Sequence, residues 1–362
     1  MLEFPWRLEK RAAASAWMRV ASPLIAAAAM LATGFMIFAL LGKQPWNALD
    51  VFFVQPLNSL YGWGELLLKA TPLALCALGL ALGFSANVWN IGAEGQLILG
   101  AICGGGVALF GGAALGAWAL PVILLAGIAG GAAWAAIPAV LRTRFNTSEI
   151  LVSLMLVYIA QLLLGFLLHG AWRDPEGFNF PQSKAFDERL ILPVLIEGQR
   201  ATIAFLLMLG LAALSWLFSS QLFAGYRMRV SGQAPAAAAY AGFGASRNIW
   251  VALLIGGGAA GLAGVCEVVG PIGRLQPDIS PGYGFAAIIV AFVGRLHPLG
   301  IVLAALLMSL LYLGGESVQL GLQLPAAVTG LFQGLLLFYL LAADLFVGFR
   351  LRRRVPRSQP HA

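Results

Sequence analysis

Four polar side chains stand close together in an otherwise apolar stretch: Asn87, Asn90, Glu94 and Gln96, within Asn-Val-Trp-Asn-Ile-Gly-Ala-Glu-Gly-Gln. Amides and a carboxylate at this spacing can hydrogen-bond a polar solute or form a gate. A charge at the centre of a membrane helix costs about 2.5–3.5 kcal/mol on insertion scales, so Glu94 must face a bundle interior or water. A structural reading stands beside this one: Asn90 caps the following helix, and Glu94 lies in its first turn, where the helix dipole favours negative charge. Glu267, late in another apolar run, carries the same cost. Shortly after it, Ser280-Pro-Gly-Tyr-Gly-Phe285, with Tyr283 inside it, is a glycine- and proline-broken re-entry. A third segment, Pro235-Ala-Ala-Ala-Ala-Tyr-Ala-Gly242, has proline at a helix start and glycine just past its end. Two helical turns are unstable alone in water. The segment therefore reads either as a helix resting on the membrane surface or as a docking helix for a cytoplasmic partner. Its candidate docking residues are Gly232, Pro235, Ala239, Tyr240, Gly242 and Arg247.

Other chemistry is missing. Gly42-Lys43 is followed by Gln44 and lacks the first glycine of a phosphate-binding Gly-x4-Gly-Lys-Ser/Thr loop. There is no Gly-x-Ser-x-Gly, His-Glu-x-x-His or Cys-x-x-Cys pattern. Cys76, Cys103 and Cys266 sit in apolar stretches without metal-ligand spacing. No catalytic residue, metal site or cofactor is expected. Three further acidic residues have ordinary explanations. Glu149 reaches back to the Asn146 amide in a helix-start signature, Glu65 pairs with Lys69 four residues on, and Asp344 extends towards the membrane surface near Arg350. Glycine-dense stretches at 104–106, 127–131 and 256–264 read as faces for close helix packing.

The elements that must position these residues follow from composition. Of 362 residues, 60% are hydrophobic and 10% charged, with mean hydropathy +0.87. A soluble domain carries about 25% charged residues. The chain is therefore an all-α polytopic membrane protein. With about 20 residues per crossing, ten apolar segments stand out: 20–41, 65–84, 92–110, 115–141, 150–169, 201–218, 249–269, 285–294, 299–314 and 325–347. The eighth is too short to cross alone and reads as a half-length or broken helix sheltered by its neighbours. About ten transmembrane helices with both termini cytoplasmic place fifteen of the 22 Lys and Arg residues inside. The net charge of +7 is thus a topology signal and not one for nucleic acid.

The expected organisation is a cytoplasmic amphipathic segment (1–19), a transmembrane domain (20–347) and a basic cytoplasmic tail (348–362). The transmembrane domain includes an outer loop at 171–200 and a cytoplasmic docking loop at 222–248. Phe4, Trp6, Leu8 and Trp17 among basic residues suggest a helix lying on the inner surface, with a disordered basic tail as the alternative. No cleavable signal peptide is evident.

Taken together, the motifs resemble those of ABC-importer permease subunits of the branched-chain amino acid/ribose permease superfamily, nearest the group that moves nucleosides or simple sugars. The resemblance rests on Asn90-Ile-Gly-Ala-Glu-Gly-Gln96, Pro181-Gln-Ser183, Ala238-Ala-Tyr-Ala-Gly242 with Arg247-Asn-Ile249, Gly261-Leu-Ala-Gly264 with Glu267, Ser280-Pro-Gly-Tyr-Gly-Phe285 and Pro298-Leu-Gly300. The sequence departs from the family's usual asparagines at Val157, before Tyr158, and at His297. The resemblance implies a multi-pass protein of a bacterial inner membrane working by alternating access. Its partners would be a cytoplasmic ATPase that binds the ATP, a second permease that is homologous or identical, and an extracytoplasmic binding protein. Asn87, Asn90, Glu94, Gln96, Glu267 and Tyr283 would line the pathway or its gate. The rival reading is a secondary transporter with Glu94 and Glu267 as proton carriers.

Overall fold

The computed structural model describes residues 6–11 and 16–353. In chain order its elements are β1 (Trp6–Lys10), α1 (Ala16–Leu40), α2 (Pro45–Leu49), α3 (Leu60–Ser85), α4 (Ala93–Phe110), α5 (Ala119–Phe145), α6 (Glu149–His169), α7 (Ala204–Ser220), α8 (Phe223–Gln233), α9 (Pro235–Tyr240), α10 (Ala245–Glu267), α11 (Tyr283–Val293), α12 (Pro298–Leu322), α13 (Ala327–Gly348) and β2 (Phe349–Arg353). Among the described residues, eight helices are long and apolar enough to cross a membrane. A ninth crossing appears if α7 and α8, bent by 69°, count as one. Each of the ten apolar segments expected from sequence coincides with a helix, and α11 has the short length foreseen for the eighth.

The chain forms two compact units. The larger spans residues 55–313. Its centre is α3, buried along most of its length. Lipid tails are as apolar as leucine, so helices in a bilayer associate through close contact and not by escaping water. Gly261 illustrates this in α10: a Cβ there would overlap the carbonyl oxygen of Gly127 and press on the Gly131 backbone, both on α5. Facing it from α4, Gly100 would collide with the Gly261 backbone if it carried a side chain. The glycine-dense stretches are packing faces, as their spacing suggests.

One acidic residue of this unit has a partner other than the one expected, and another takes a partner from the outer loop. Asn146 adopts a left-handed conformation (φ 52°) and ends α5, its amide donating to the Leu141 carbonyl, so it does not start α6. Glu149 instead accepts from Arg142 Nε at 3.2 Å. Glu65, nearly buried, pairs with Arg200 Nη1 at 3.4 Å. The reason is the fold-back of the outer loop, which brings Gln199 Nε2 to within 3.0 Å of the Leu60 carbonyl oxygen.

The smaller unit comprises residues up to 54 and from 314. Phe38, Phe52 and Phe332 are fully buried in it. The rings of Phe52 and Phe332 stack at 4.6 Å, and Phe38 lies 5.6 Å from Phe332. Such pairs add about 0.5–1.5 kcal/mol each beyond area burial. Polar clasps join α1 to α13: Ser22 Oγ donates to Asp344 Oδ1 at 2.5 Å, and Thr33 Oγ1 lies 2.6 Å from the Tyr339 hydroxyl.

The amphipathic helix expected near the start is replaced over Trp6–Lys10 by a strand, paired antiparallel with Phe349–Arg353. Ladder pairing satisfies backbone groups that a short isolated helix would leave to water. Arg350 pairs with Glu9 at 3.1 Å, and Asp344 accepts from Ser22. The rest of the expected basic tail, from 354, lies outside the described residues, as do residues 1–5 and 12–15.

Candidate functional site

The Asn87–Gln96 segment joins α3 to α4. Its amides close on each other. Asn90 Nδ2 donates to Gln96 Oε1 at 2.8 Å, and Gln96 Nε2 donates back to Asn90 Oδ1 at 3.0 Å. Asn90 Oδ1 also accepts from the Gly92 amide at 3.0 Å. The helix cap itself is Gly92, and Asn90 stands two residues outside it. Both amides are almost wholly buried, where unpaired polar groups are costly. From α6, Ser153 Oγ accepts the Ile91 amide at 3.2 Å and fixes the extended stretch before α4.

Glu94 is 2% exposed. Its Oε2 accepts from the Gly284 amide at 2.6 Å, and the Ser280 hydroxyl and Gly282 amide also bond to this carboxylate. Ser280 Oγ in turn accepts from the Tyr283 amide at 2.8 Å. The first amides of a helix have no intrahelical partner. Those of Tyr283 and Gly284, at the start of α11, are satisfied by Ser280 from its own loop and by Glu94 from α4. A Cβ at Gly284 would overlap the Glu94 backbone, so the two helix starts meet at a point that only glycine permits. Sequence reading placed Glu94 in the dipole of its own helix; the carboxylate also serves the N-terminus of another.

Tyr283 is buried beside this junction, edge-on to Tyr312 with ring centroids 5.6 Å apart. Glu267 ends α10 immediately before a wide turn of π-helix, Val268–Ile272. The π-turn is flanked by the outer loop, whose backbone runs along it. Leu192 donates to the Val269 carbonyl at 2.7 Å, Phe186 to Gly273 at 2.9 Å and Ser183 to Leu275 at 2.9 Å. Ser183, fully buried, returns a bond by accepting the Leu275 amide at 3.0 Å.

Asn87 stands apart from the rest. It is exposed in a left-handed conformation (φ 57°), its Oδ1 accepts from Trp89 Nε1 at 3.0 Å, and it edges a cavity of about 500 Å³ below α3. The geometry thus gathers Asn90 with Gln96 and Glu94 with Tyr283, pairs Glu65 with Arg200, sets Glu267 at the end of α10, and leaves Asn87 at a cavity mouth. Arg200, Ser183 and Ser280 complete these clusters and were not singled out from sequence. Ser183 and Ser280 belong to motifs that carry the resemblance, whereas Arg200 carried no local signal. Val157, where an asparagine is usual, is buried, and its neighbour Tyr158 is exposed.

The docking segment divides in two. Gly232 packs inward, since a Cβ there would overlap the Ser85 carbonyl. Pro235, Ala239, Tyr240, Gly242 and Arg247 are exposed. Tyr240 is 98% exposed and Gly242 turns the chain at φ 75°. Ala238 is the buried anchor of α9.

Comparison with known proteins bears on this arrangement. A glucose ABC transporter permease of Haloferax volcanii is 35% identical over 95% of this chain and 93% of its own length. A guanosine ABC transporter permease of Bacillus subtilis is 28% identical over 92% of this chain and 96% of its own. A nucleoside ABC transporter permease of Lactococcus lactis is 27% identical over 83% and 85%. No solved structure matches the chain. The family described as branched-chain amino acid transport system / permease component matches residues 62–341, which hold every cluster above. The chain belongs to that family and is a multi-pass, pore-forming permease subunit of an ABC transporter, with no enzymatic activity of its own.

Proposed function

We propose that the chain forms the alternating-access pathway of an importer for a neutral polar solute, a nucleoside or a simple sugar. ATP is bound and hydrolysed on a separate cytoplasmic ATPase that docks on α9 and its flanks. A second permease, homologous or identical, completes the pore, and an extracytoplasmic binding protein delivers the solute. The protein sits in a bacterial cytoplasmic membrane with both termini inside. The observation that carries this reading is α9: a six-residue helix anchored by buried Ala238 and presenting a bare Tyr240. A helix this short is stable only against something else.

Asn87, Asn90, Glu94, Gln96, Glu267 and Tyr283 form the pathway or its gate. In support, polar groups are costly at membrane depth and mark solute pathways. The start of α11, a half-length helix, meets the start of α4 at Glu94, as discontinuous helices do around transporter sites. The names of the glucose and nucleoside relatives supply the solute class. Membership of an ABC family, together with the capping role of Glu94, leaves proton coupling without support.

Co-purification in mild detergent with mass spectrometry, followed by uptake in proteoliposomes, tests the proposal. An ATPase and a second permease in the preparation, with ATP-dependent uptake of a labelled nucleoside or hexose, are expected. Uptake by this chain alone, driven by a pH gradient without ATP, would overturn it.

A further inference from the structure

Both roots of the docking loop meet at one side chain. Asn248 lies in the first turn of α10 and is 2% exposed. Its Oδ1 accepts from Arg227 Nε at 3.0 Å, and its Nδ2 donates to Ser231 Oγ at 2.7 Å. Arg227 and Ser231 are four residues apart on α8 and so share one of its faces. A single buried amide thus ties two successive turns of α8 to the start of α10, with α9 strung between them. Next to the tie the joint is apolar. Met228 of α8 belongs to a buried cluster with Ala252 and Leu253 of α10 and with Leu82 and Ala86 at the end of α3. Gly232 lies so close to the Ser85 carbonyl and the Ala86 backbone that a Cβ would overlap them. The Asn87–Gln96 segment follows directly, with Glu94 and the Asn90–Gln96 pair inside it.

We propose that Asn248 is a positioning residue for energy coupling. Held by Arg227 and Ser231, it makes α8 and the start of α10 move as one piece. A displacement of α9 then reaches the Asn87–Gln96 segment through α8, and Glu267 along α10, at the same time. This role rests on the reading of α9 as the ATPase docking helix. Stability alone does not account for the amide. The N-cap of α10 is Gly244, four residues earlier, so Asn248 does not serve as its cap. Asparagine is a poor former of helix interiors, and its burial carries a desolvation cost that an apolar side chain avoids. What a fully paired buried network adds is a unique arrangement of the elements it joins. Here those elements need it. The six residues of α9 reach α10 through Gly242, at φ 75°, so without the tie the two ends of α9 would turn on separate hinges.

The test uses the full complex as it co-purifies, reconstituted in proteoliposomes, with ATP hydrolysis and uptake of a labelled nucleoside or hexose read side by side. Asn248→Leu should keep the ATPase bound and hydrolysing, while solute carried per ATP falls about fivefold, the lower end of coupling between distant sites. Asn248→Asp should keep the wild-type ratio, because a carboxylate accepts from Arg227 and from the Ser231 hydroxyl. Ser231→Ala leaves the arginine bond in place and should fall between the two, which guards against a folding defect in the leucine variant. Trp250→Phe is the control. It loses a 3.3 Å bond to Thr143 of α5 without touching the tie to α8, and should keep the ratio. A wild-type ratio in Asn248→Leu and Ser231→Ala, or an equal drop in Trp250→Phe, overturns the proposal and leaves the docking helix standing. Loss of the ATPase from Asn248→Leu also overturns it, since the amide then acts on docking itself. Wild type that purifies without an ATPase, or Tyr240→Asp that retains one, removes the docking reading and the role of Asn248 with it.

Discussion

The Gly284 amide donates to Glu94 Oε2 at 2.6 Å across 190 residues of sequence, so one carboxylate belongs to the first turn of α4 and caps α11 as well. The bond explains how a charge is kept among apolar helices: its oxygens are occupied by backbone and hydroxyl donors, and the dipoles of two helix starts point at it.

Glu94→Gln keeps an oxygen to accept the Gly284 amide, whereas Glu94→Ala leaves that amide buried and unpaired, at about 1–3 kcal/mol. Thermal unfolding in detergent should fall clearly for alanine and modestly for glutamine. ATP-driven uptake should follow the same order. Complete loss of uptake in Glu94→Gln with unchanged stability would restore the proton-carrier reading.

The Asn90–Gln96 pair invites a double-mutant cycle. Each single alanine strands the other buried amide, while the double variant removes both groups, so the two changes should be non-additive by about 0.5–3 kcal/mol, the range for contacting residues. Additive effects on unfolding would mean that the amides do not depend on each other.

Gly261→Val should prevent correct assembly of α4, α5 and α10, because the backbone of α5 occupies the space the side chain needs. Gly165→Val, on α6 with nothing within 4 Å of its Cβ position, should be tolerated. Yield of folded, monodisperse protein compares the two directly.

On α9, Tyr240→Asp should abolish ATPase co-purification and leave insertion and stability unchanged, since the side chain is 98% exposed. Ala238→Asp should lower stability itself, because that residue is buried. Retention of the ATPase by Tyr240→Asp would remove α9 from the docking surface.

Sequence made the helices legible because lipid selects length and apolarity, and both are written locally. It made Glu94 and Glu267 legible because a carboxylate in an apolar run is costly wherever it sits. Partners were another matter. Asn90 looked like a cap because it lies near a helix start, and only the folded turn shows it reaching Gln96. Glu65 has an obvious neighbour in Lys69, but its bond to Arg200 comes from a loop whose path no periodicity reports. The ninth apolar segment, at 299–314, stops at Gly314, but α12 continues to Leu322. Gly314 and Gly315 admit the Phe52 ring and the Thr329 side chain instead of ending the helix. A glycine that stops a helix and one that makes room for a neighbour look alike until the neighbour is known.

The clasp between α1 and α13 also orders events during synthesis. Ser22 and Asp344 are 322 residues apart. At about 5–20 residues per second, the ribosome takes roughly a quarter of a minute to a minute to cover that distance. Through this interval the first crossing waits in the bilayer without its companion, its hydroxyls at Ser22 and Thr33 still lacking Asp344 and Tyr339. The smaller unit can close only when translation is nearly done, so its closure records that the crossings between have already been made.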